Sequence, residues 1–87
     1  MNGQVIILGA GESGVGAALL AKKMGYTCFV SDGGMLKKEH STELDAGGIE
    51  WEEGHHTEDR ILAGDLVIKS PGIPEKNDLV KKIRARG

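Results

Sequence analysis

The stretch "LGAGESGVGAALL", residues Leu8–Leu20, contains glycines in the spacing G-x-G-x-x-G between an apolar run and a segment rich in small residues. The apolar run, residues 5–8, has no polar alternation, which is typical of a strand covered on both faces. In this pattern Gly9 permits the tight turn, Gly11 lets a ligand approach the backbone, and Gly14 lets the helix pack closely on the strand. The stretch therefore predicts an α/β domain with a phosphate-binding turn at the start of its first helix.

The rest of the chain continues the alternation of strand and helix. Strands are predicted at residues 5–8, 27–31, 49–52 and 66–68, and helices at 13–24, 35–46, 57–63 and from 77 onward. This alternation predicts a Rossmann-like, doubly wound parallel sheet, and right-handed crossovers from a central first strand give the order 3-2-1-4. Residues 1–87 are expected to form a single domain. A fold of this kind is expected to have a fifth strand beside the fourth, and no segment of this sequence is expected to supply it.

Composition argues against several classes of protein. The 11 basic and 13 acidic side chains give a net charge of −2, which disfavours a nucleic-acid or membrane-surface module. The N-terminus lacks the pattern of a secretory signal, and the apolar runs are too short to span a membrane. The single cysteine, Cys28, is interpreted as a buried core residue in a reducing compartment. We therefore expect a cytoplasmic protein with no nucleic-acid or membrane partner.

The chain offers no candidate for catalysis or metal binding. Val15 and Gly16 occupy the positions where a P-loop needs Lys and Ser or Thr. The histidines have no zinc-ligand spacing, and His55 and His56 are interpreted as loop residues after the third strand. Neighbouring acids, including Glu52 and Glu53, are interpreted as solvated charge. No catalytic residue and no metal ligand are predicted.

Three features are expected to meet at one edge of the sheet. The glycine loop follows strand one, Asp32 ends strand two, and Ser70-Pro71-Gly72 follows strand four. The carboxyl ends of strands one and four frame the crevice in which open α/β sheets bind ligands. We expect backbone N–H groups of the loop to hold a diphosphate, and the Asp32 carboxylate to accept hydrogen bonds from a ribose or base. Ser13 either adds a hydroxyl to the site or caps the helix.

Two rival classes of function are considered, and the first of them accounts for the glycine loop and Asp32 but not for the Ser70-Pro71-Gly72 turn. An NAD-binding regulatory or dehydrogenase domain would use the same loop and the same acid. A non-catalytic interaction domain would use the same sheet without binding a nucleotide.

Four segments together resemble the N-terminal domain of the Mur ligases, the enzymes that build peptidoglycan precursors. They are "VIILGAGESG" (5–14), "VSDG" (30–33), "IEWEEGHHT" (49–57) and "DLVIKSPGIP" (65–74). The resemblance implies a UDP site in place of a dinucleotide site. The implied reaction is the ATP-dependent addition of D-glutamate to UDP-N-acetylmuramoyl-L-alanine, although another Mur ligase remains possible because peptide selection lies outside this segment.

The resemblance also implies roles for particular residues. It assigns Gly11, Glu12, Ser13 and Gly14 to the diphosphate, Asp32 and the backbone of Gly33 to the uracil, and Ser70 and Gly72 to the lining near the diphosphate and sugar. The family often carries a hydroxyl or basic residue just after the acid, where this chain has Gly33 and Gly34. The backbone is therefore expected to make those contacts.

The family's ATP loop, magnesium ligands and amino-acid site lie in central and C-terminal domains. ATP and magnesium are therefore implied for the full-length enzyme, whereas this chain alone is expected to bind neither and to have no ligase activity. The apolar fourth strand, residues 65–69, would be left as an exposed edge, so either self-association through it or a lower stability than that of a chain extended by about 8–10 residues is expected.

Overall fold

Strands and helices alternate along the whole described chain. The computed structural model describes residues 3–70 and 78–86. The elements are β1 (Gln4–Leu8), α1 (Glu12–Lys23), β2 (Thr27–Asp32), α2 (Lys38–Ala46), β3 (Glu50–Glu53), α3 (Glu58–Leu62), β4 (Leu66–Lys69) and α4 (Asp78–Arg86). The strands form one parallel sheet in the order β3-β2-β1-β4. The predicted fold class and strand order are confirmed.

The largest departure from the predicted boundaries is the start of α2. A helix was expected from residue 35, but α2 begins at Lys38, after an extended backbone at Lys37. The Leu36 N–H donates to Glu53 Oε1 at 3.0 Å. This bond holds the segment before α2 against the end of β3, so the helix starts only after it.

The sheet has an apolar layer on each face. On the face covered by α1 and α2 (the α1 face), Val5 and Ile7 pack with helix residues such as Val15 and Leu44. The opposite face (the α4 face) is covered by α3 and α4, and its core residues are Ile6, Leu8, Phe29, Ile61 and Leu79. Burial of each large apolar side chain stabilises the fold by roughly 1.5–3 kcal/mol. On the last helix, Leu79 and Val80 are buried, and Ile83 packs against the cluster on the α4 face.

The turn between β1 and α1 brings the helix very close to the strand. Gly9 has φ +98°, a conformation that L side chains rarely adopt, and its N–H donates to the Ser31 carbonyl at 2.9 Å. Gly14 is buried, and a Cβ there would overlap the Gly9 carbonyl oxygen and lie 3.4 Å from Ile7 Cγ2. The predicted roles of both glycines, a tight turn and close helix packing, are confirmed.

We expect Gly14→Ala to destabilise the domain by about 1–3 kcal/mol, because the added methyl meets backbone that cannot move away. Gly16→Ala is the matched control, since a Cβ at Gly16 has no atom within 4 Å. Removing that helix-interior glycine should stabilise the domain by up to about 1 kcal/mol. Urea unfolding measures both effects, and a Gly14→Ala variant as stable as the parent chain would contradict the argument.

The two edges of the sheet differ in chemistry. The outer strand β3 carries Glu50, Glu52 and Glu53, and charges on an edge discourage pairing with another chain. The outer strand β4 instead exposes Leu66 (54%) and Ile68 (38%) on the α1 face. Val67, expected at the same exposed edge, packs on the α4 face. The self-association expected through residues 65–69 stays a prediction, as does the fifth strand.

The β4 edge provides a direct test of self-association. The mass of the parent chain in sedimentation equilibrium should rise with concentration, and Ile68→Lys should abolish the rise by placing a charge on the edge. Thr42→Lys adds the same charge on the exposed surface of α2 and should leave the association intact. A parent chain that stays monomeric at millimolar concentration would show that this edge does not associate.

Candidate functional site

The N-terminus of α1 presents backbone donors at the carboxyl end of β1. Gly11 is the N-cap and no side chain caps the helix, while the Val15 N–H makes the first helical bond, to the Gly11 carbonyl at 2.9 Å. The N–H groups of residues 12–14 therefore have no partner within the helix and lie at the positive end of its dipole. Ser13 is exposed inside the first turn, so the capping role considered for it is wrong.

Gly11 and Gly14 are constrained differently. Gly11 has φ −76°, which any residue adopts, and a Cβ there has no protein atom within 4 Å. Gly14 is fixed by the protein's own backbone, as described above. A requirement for glycine at position 11 can therefore come only from something outside these contacts, such as a bound ligand.

The Asp32 carboxylate links the glycine loop to the turn after β2. Its Oδ2 accepts from the Ala10 N–H at 2.7 Å and its Oδ1 from the Gly34 N–H at 2.8 Å. The sequence predicted an acceptor for a ligand, and the structure shows that two of the carboxylate's acceptor positions are already used internally. A carboxylate has about four such positions, so Asp32 retains capacity for a ligand donor.

The predicted meeting of three strand ends is confirmed for the described residues. The Ser70 N–H donates to the Leu8 carbonyl at 2.9 Å, and the Gly9 N–H reaches Ser31 on β2. The ends of β2, β1 and β4 therefore lie side by side. Gly72, the other predicted residue of this turn, lies outside the described residues.

A cleft of about 550 Å³ opens between the N-termini of α1 and α2. This volume lies within the roughly 300–1,000 Å³ of small-molecule sites. Of the predicted site residues, Gly11, Glu12 and Asp32 line it, whereas Ser13, Gly14, Gly33 and Ser70 do not. Lining residues that the sequence did not single out include Met35, Lys37 and His40.

Lys37 was missed because α2 was expected to begin at residue 35, which places Lys37 inside a helix, whereas it is the N-cap of the observed helix. His40 lies inside the helix with either boundary, and no signal in the sequence assigned it to the cleft. The charged part of the lining is mainly acidic, since it consists of Lys37 and the four acids Glu12, Asp32, Glu39 and Glu43.

A second carboxylate, Glu52, organises the α4 face of the same sheet edge. It accepts from the buried Ser31 hydroxyl at 2.6 Å, and from the N–H and hydroxyl of Thr57 at 2.7 and 2.6 Å. His55 Nε2 lies 3.0 Å from it, and the Glu52 side chain is only 11% exposed. The interpretation of Glu52 as solvated charge was therefore wrong. Thr57 is the N-cap residue of α3, but its hydroxyl donates to Glu52 and not to the helix.

These contacts shift the acidity of Glu52. Burial raises the pKa of the carboxyl, but hydrogen bonds from Ser31 and Thr57, together with the charge of His55, outweigh burial and hold the pKa below its ordinary value of 4.5. Glu52 is therefore ionised at neutral pH and acts only as an acceptor. The Cys28 thiol, by contrast, is buried, and burial raises its pKa.

Two further features of the described chain bear on function. No helix within residues 3–70 and 78–86 has both the length and the apolar character needed to cross a membrane. The same residues contain no group of three or more His, Cys, Asp or Glu side chains placed to hold a metal ion.

Comparison with known proteins identifies the family. The model of the MurD N-terminal domain matches residues 4–79. The chain belongs to the MurD N-terminal domain family. The NAD-binding alternative is not favoured by this match.

Curated relatives of this MurD N-terminal domain carry one name, UDP-N-acetylmuramoylalanine--D-glutamate ligase. The protein from Bacteroides thetaiotaomicron is 55% identical over 84 residues, which is 97% of this chain and 19% of that protein. The protein from Cytophaga hutchinsonii is 51% identical over 86 residues, which is 99% of this chain and 19% of that protein. The chain therefore spans about a fifth of the length of these relatives.

A solved structure shares the fold. The transhydrogenase from Sinorhizobium meliloti superimposes with a TM-score of 0.64 over 85% of this chain and 21% of that chain, at 19% sequence identity. At this identity the likeness shows the fold alone and nothing about the ligand.

The lowered pKa of Glu52 makes a testable contribution to stability. Because the folded pKa lies below the unfolded one, ionised Glu52 stabilises the domain above about pH 4.5, and this stabilisation is lost as the pH falls through the folded pKa. Glu52→Gln should cost about 1.5–3 kcal/mol at pH 7, the range for hydrogen bonds to charged groups, and progressively less in acid. Glu43→Gln, at an exposed position on α2, is the control. Urea unfolding across the pH range measures the free energy of unfolding of both variants. A cost of Glu52→Gln that is the same at every pH would contradict this account.

Proposed function

We propose that this chain is the substrate-anchoring domain of a peptidoglycan-precursor ligase, and that it binds the UDP part of UDP-N-acetylmuramoyl-L-alanine. The observation that carries the proposal is the uncapped N-terminus of α1, whose N–H groups at residues 12–14 face outward beside the cleft. Such a terminus suits a diphosphate. Membership in the MurD family and the name shared by the relatives favour a UDP-linked substrate over NAD.

In this proposal the site residues act mainly through their backbone. The N–H groups of Glu12, Ser13 and Gly14 hold the diphosphate, with the Ser13 hydroxyl beside them. The uracil lies against Asp32 and the Gly33 backbone. Ser70 lines the site near the diphosphate and sugar, and Gly72, outside the described residues, is assigned the same role.

The chain contributes to the reaction by positioning. In the whole ligase, ATP phosphorylates the alanyl carboxylate of the substrate, and the amine of D-glutamate then attacks the acyl phosphate. ATP and magnesium belong to the remaining four-fifths of the protein, so this chain makes and breaks no bond. Binding the remote UDP group fixes where the reacting carboxylate lies, which converts binding energy into rate.

UDP binding should be sensitive to the presence of a side chain at position 11. Gly11→Val places a side chain where the diphosphate approaches, so the affinity for UDP should fall at least about tenfold. Thermal stability should stay near that of the parent, because a Cβ at position 11 has no protein atom within 4 Å. Gly16→Ala, whose added methyl also meets open space, should bind UDP as the parent does. Calorimetric titration with UDP and NADH measures these affinities.

Two outcomes would contradict the proposal. If Gly11→Val binds UDP as tightly as the parent chain, the diphosphate is bound elsewhere. If NADH binds and UDP does not, the domain is of the dehydrogenase type.

A further inference from the structure

His56 lies on the loop after β3, next to the turn that follows β2. A Cβ built at Gly33 would lie 3.2 Å from His56 Nε2 and 3.7 Å from its Cδ2. The imidazole therefore occupies the space that a side chain at position 33 would need. Gly33 itself is exposed and directly follows Asp32.

The hydrogen bonds around Ser31 determine which nitrogen of His56 carries a proton. Ser31 Oγ lies 2.6 Å from Glu52 Oε2 and 2.6 Å from His56 Nδ1. A hydroxyl has one proton, and the ionised Glu52 can only accept, so the Ser31 hydroxyl donates to Glu52. His56 Nδ1 must then donate to Ser31 Oγ. In the neutral imidazole this leaves Nε2 as an acceptor.

The Nε2 atom is available to a ligand. His56 is half-buried, and among the described residues its Nε2 has no hydrogen-bond partner. The buried anchor at Nδ1 fixes the ring, because Glu52 is itself held by Thr57. A fixed ring presents its acceptor without losing freedom on binding, which is how supporting hydrogen bonds orient histidine ligands elsewhere.

We propose that His56 is a ligand-binding residue of this site, and that its Nε2 accepts a hydrogen bond from an N–H or O–H donor of the nucleoside beside Gly33. The inference rests on the proposed UDP site and adds a side chain to it. Gly33 and Gly34 offer no side chain of their own, and the imidazole supplies one from the loop after β3. The donor is the uracil ring N–H or a ribose hydroxyl, and Asp32 likewise accepts from such groups.

The test combines one variant with modified ligands. His56→Asn keeps an N–H donor near the position of Nδ1 and removes Nε2, so it should melt near the parent temperature and bind UDP about tenfold more weakly. His55→Asn, at the exposed neighbouring position that also contacts Glu52, should bind UDP as the parent does.

The ligands are UDP, N3-methyl-UDP and 2′-deoxy- and 3′-deoxy-UDP. The analogue that lacks the donor should bind the parent chain more weakly than UDP, and His56→Asn should no longer distinguish it from UDP. A purely structural role for His56 would leave that discrimination unchanged.

The outcomes separate the two proposals. A parent chain that binds no UDP overturns the proposed function and this inference with it. A parent chain that binds UDP, with equal affinity and equal analogue discrimination in His56→Asn, overturns only the role of His56. If His56→Asn does not fold, nitrogen NMR of the parent decides: the Nε2 resonance of His56 should move on addition of UDP but not of inorganic pyrophosphate, which lacks the nucleoside. An Nε2 resonance unmoved by bound UDP overturns the inference.

Discussion

The contact between Gly14 and Gly9 sets the position of every other part of the site. The helix α1 lies so close to the end of β1 that a methyl at position 14 would overlap the Gly9 carbonyl oxygen. This approach points the first turn of α1, with its unpaired N–H groups, past the carboxyl edge of the sheet. It also requires the chain to turn sharply at Gly9, whose positive φ permits it. A helix end with unpaired N–H groups at this edge is thus a consequence of how tightly helix and strand pack.

Two carboxylates stabilise the edge from opposite faces of one strand. Ser31 and Asp32 are consecutive in β2, so their side chains point to opposite faces of the sheet. On the α1 face, Asp32 holds the Ala10 and Gly34 N–H groups. On the α4 face, Ser31 binds Glu52 and His56. The turn at residues 33–34 lies between these networks, so a change in either network alters the same turn.

The sequence predicted what depends on local pattern, and missed what depends on distant partners. Apolar runs, glycine spacing and the handedness of crossovers suffice for the elements and their order, because each is set by a few neighbouring residues or by chirality. The same holds for Gly9, Gly14 and the position of Asp32 at the end of β2. Glu52 was misjudged because its environment comes from Ser31, 21 residues earlier, together with Thr57. His56 was read as an ordinary loop residue for the same reason, since the partner that orients it, Ser31, is 25 residues away.

The charges of the cleft indicate which part of a ligand each group of the site suits. Four carboxylates and one lysine line it, so an anion gains little from the surrounding side-chain charge. Neutral N–H groups at the helix end are the donors suited to a diphosphate, and they act only within the first turn. The Asp32 carboxylate has the opposite requirement, because an ionised carboxylate only accepts hydrogen bonds. An anionic group beside Asp32 would be repelled, whereas the hydroxyls of a ribose or the N–H of a base would be bound. In the proposed function, a nucleoside diphosphate is therefore expected to bind with its phosphates at the residue 12–14 amides and its donor-bearing nucleoside toward Asp32.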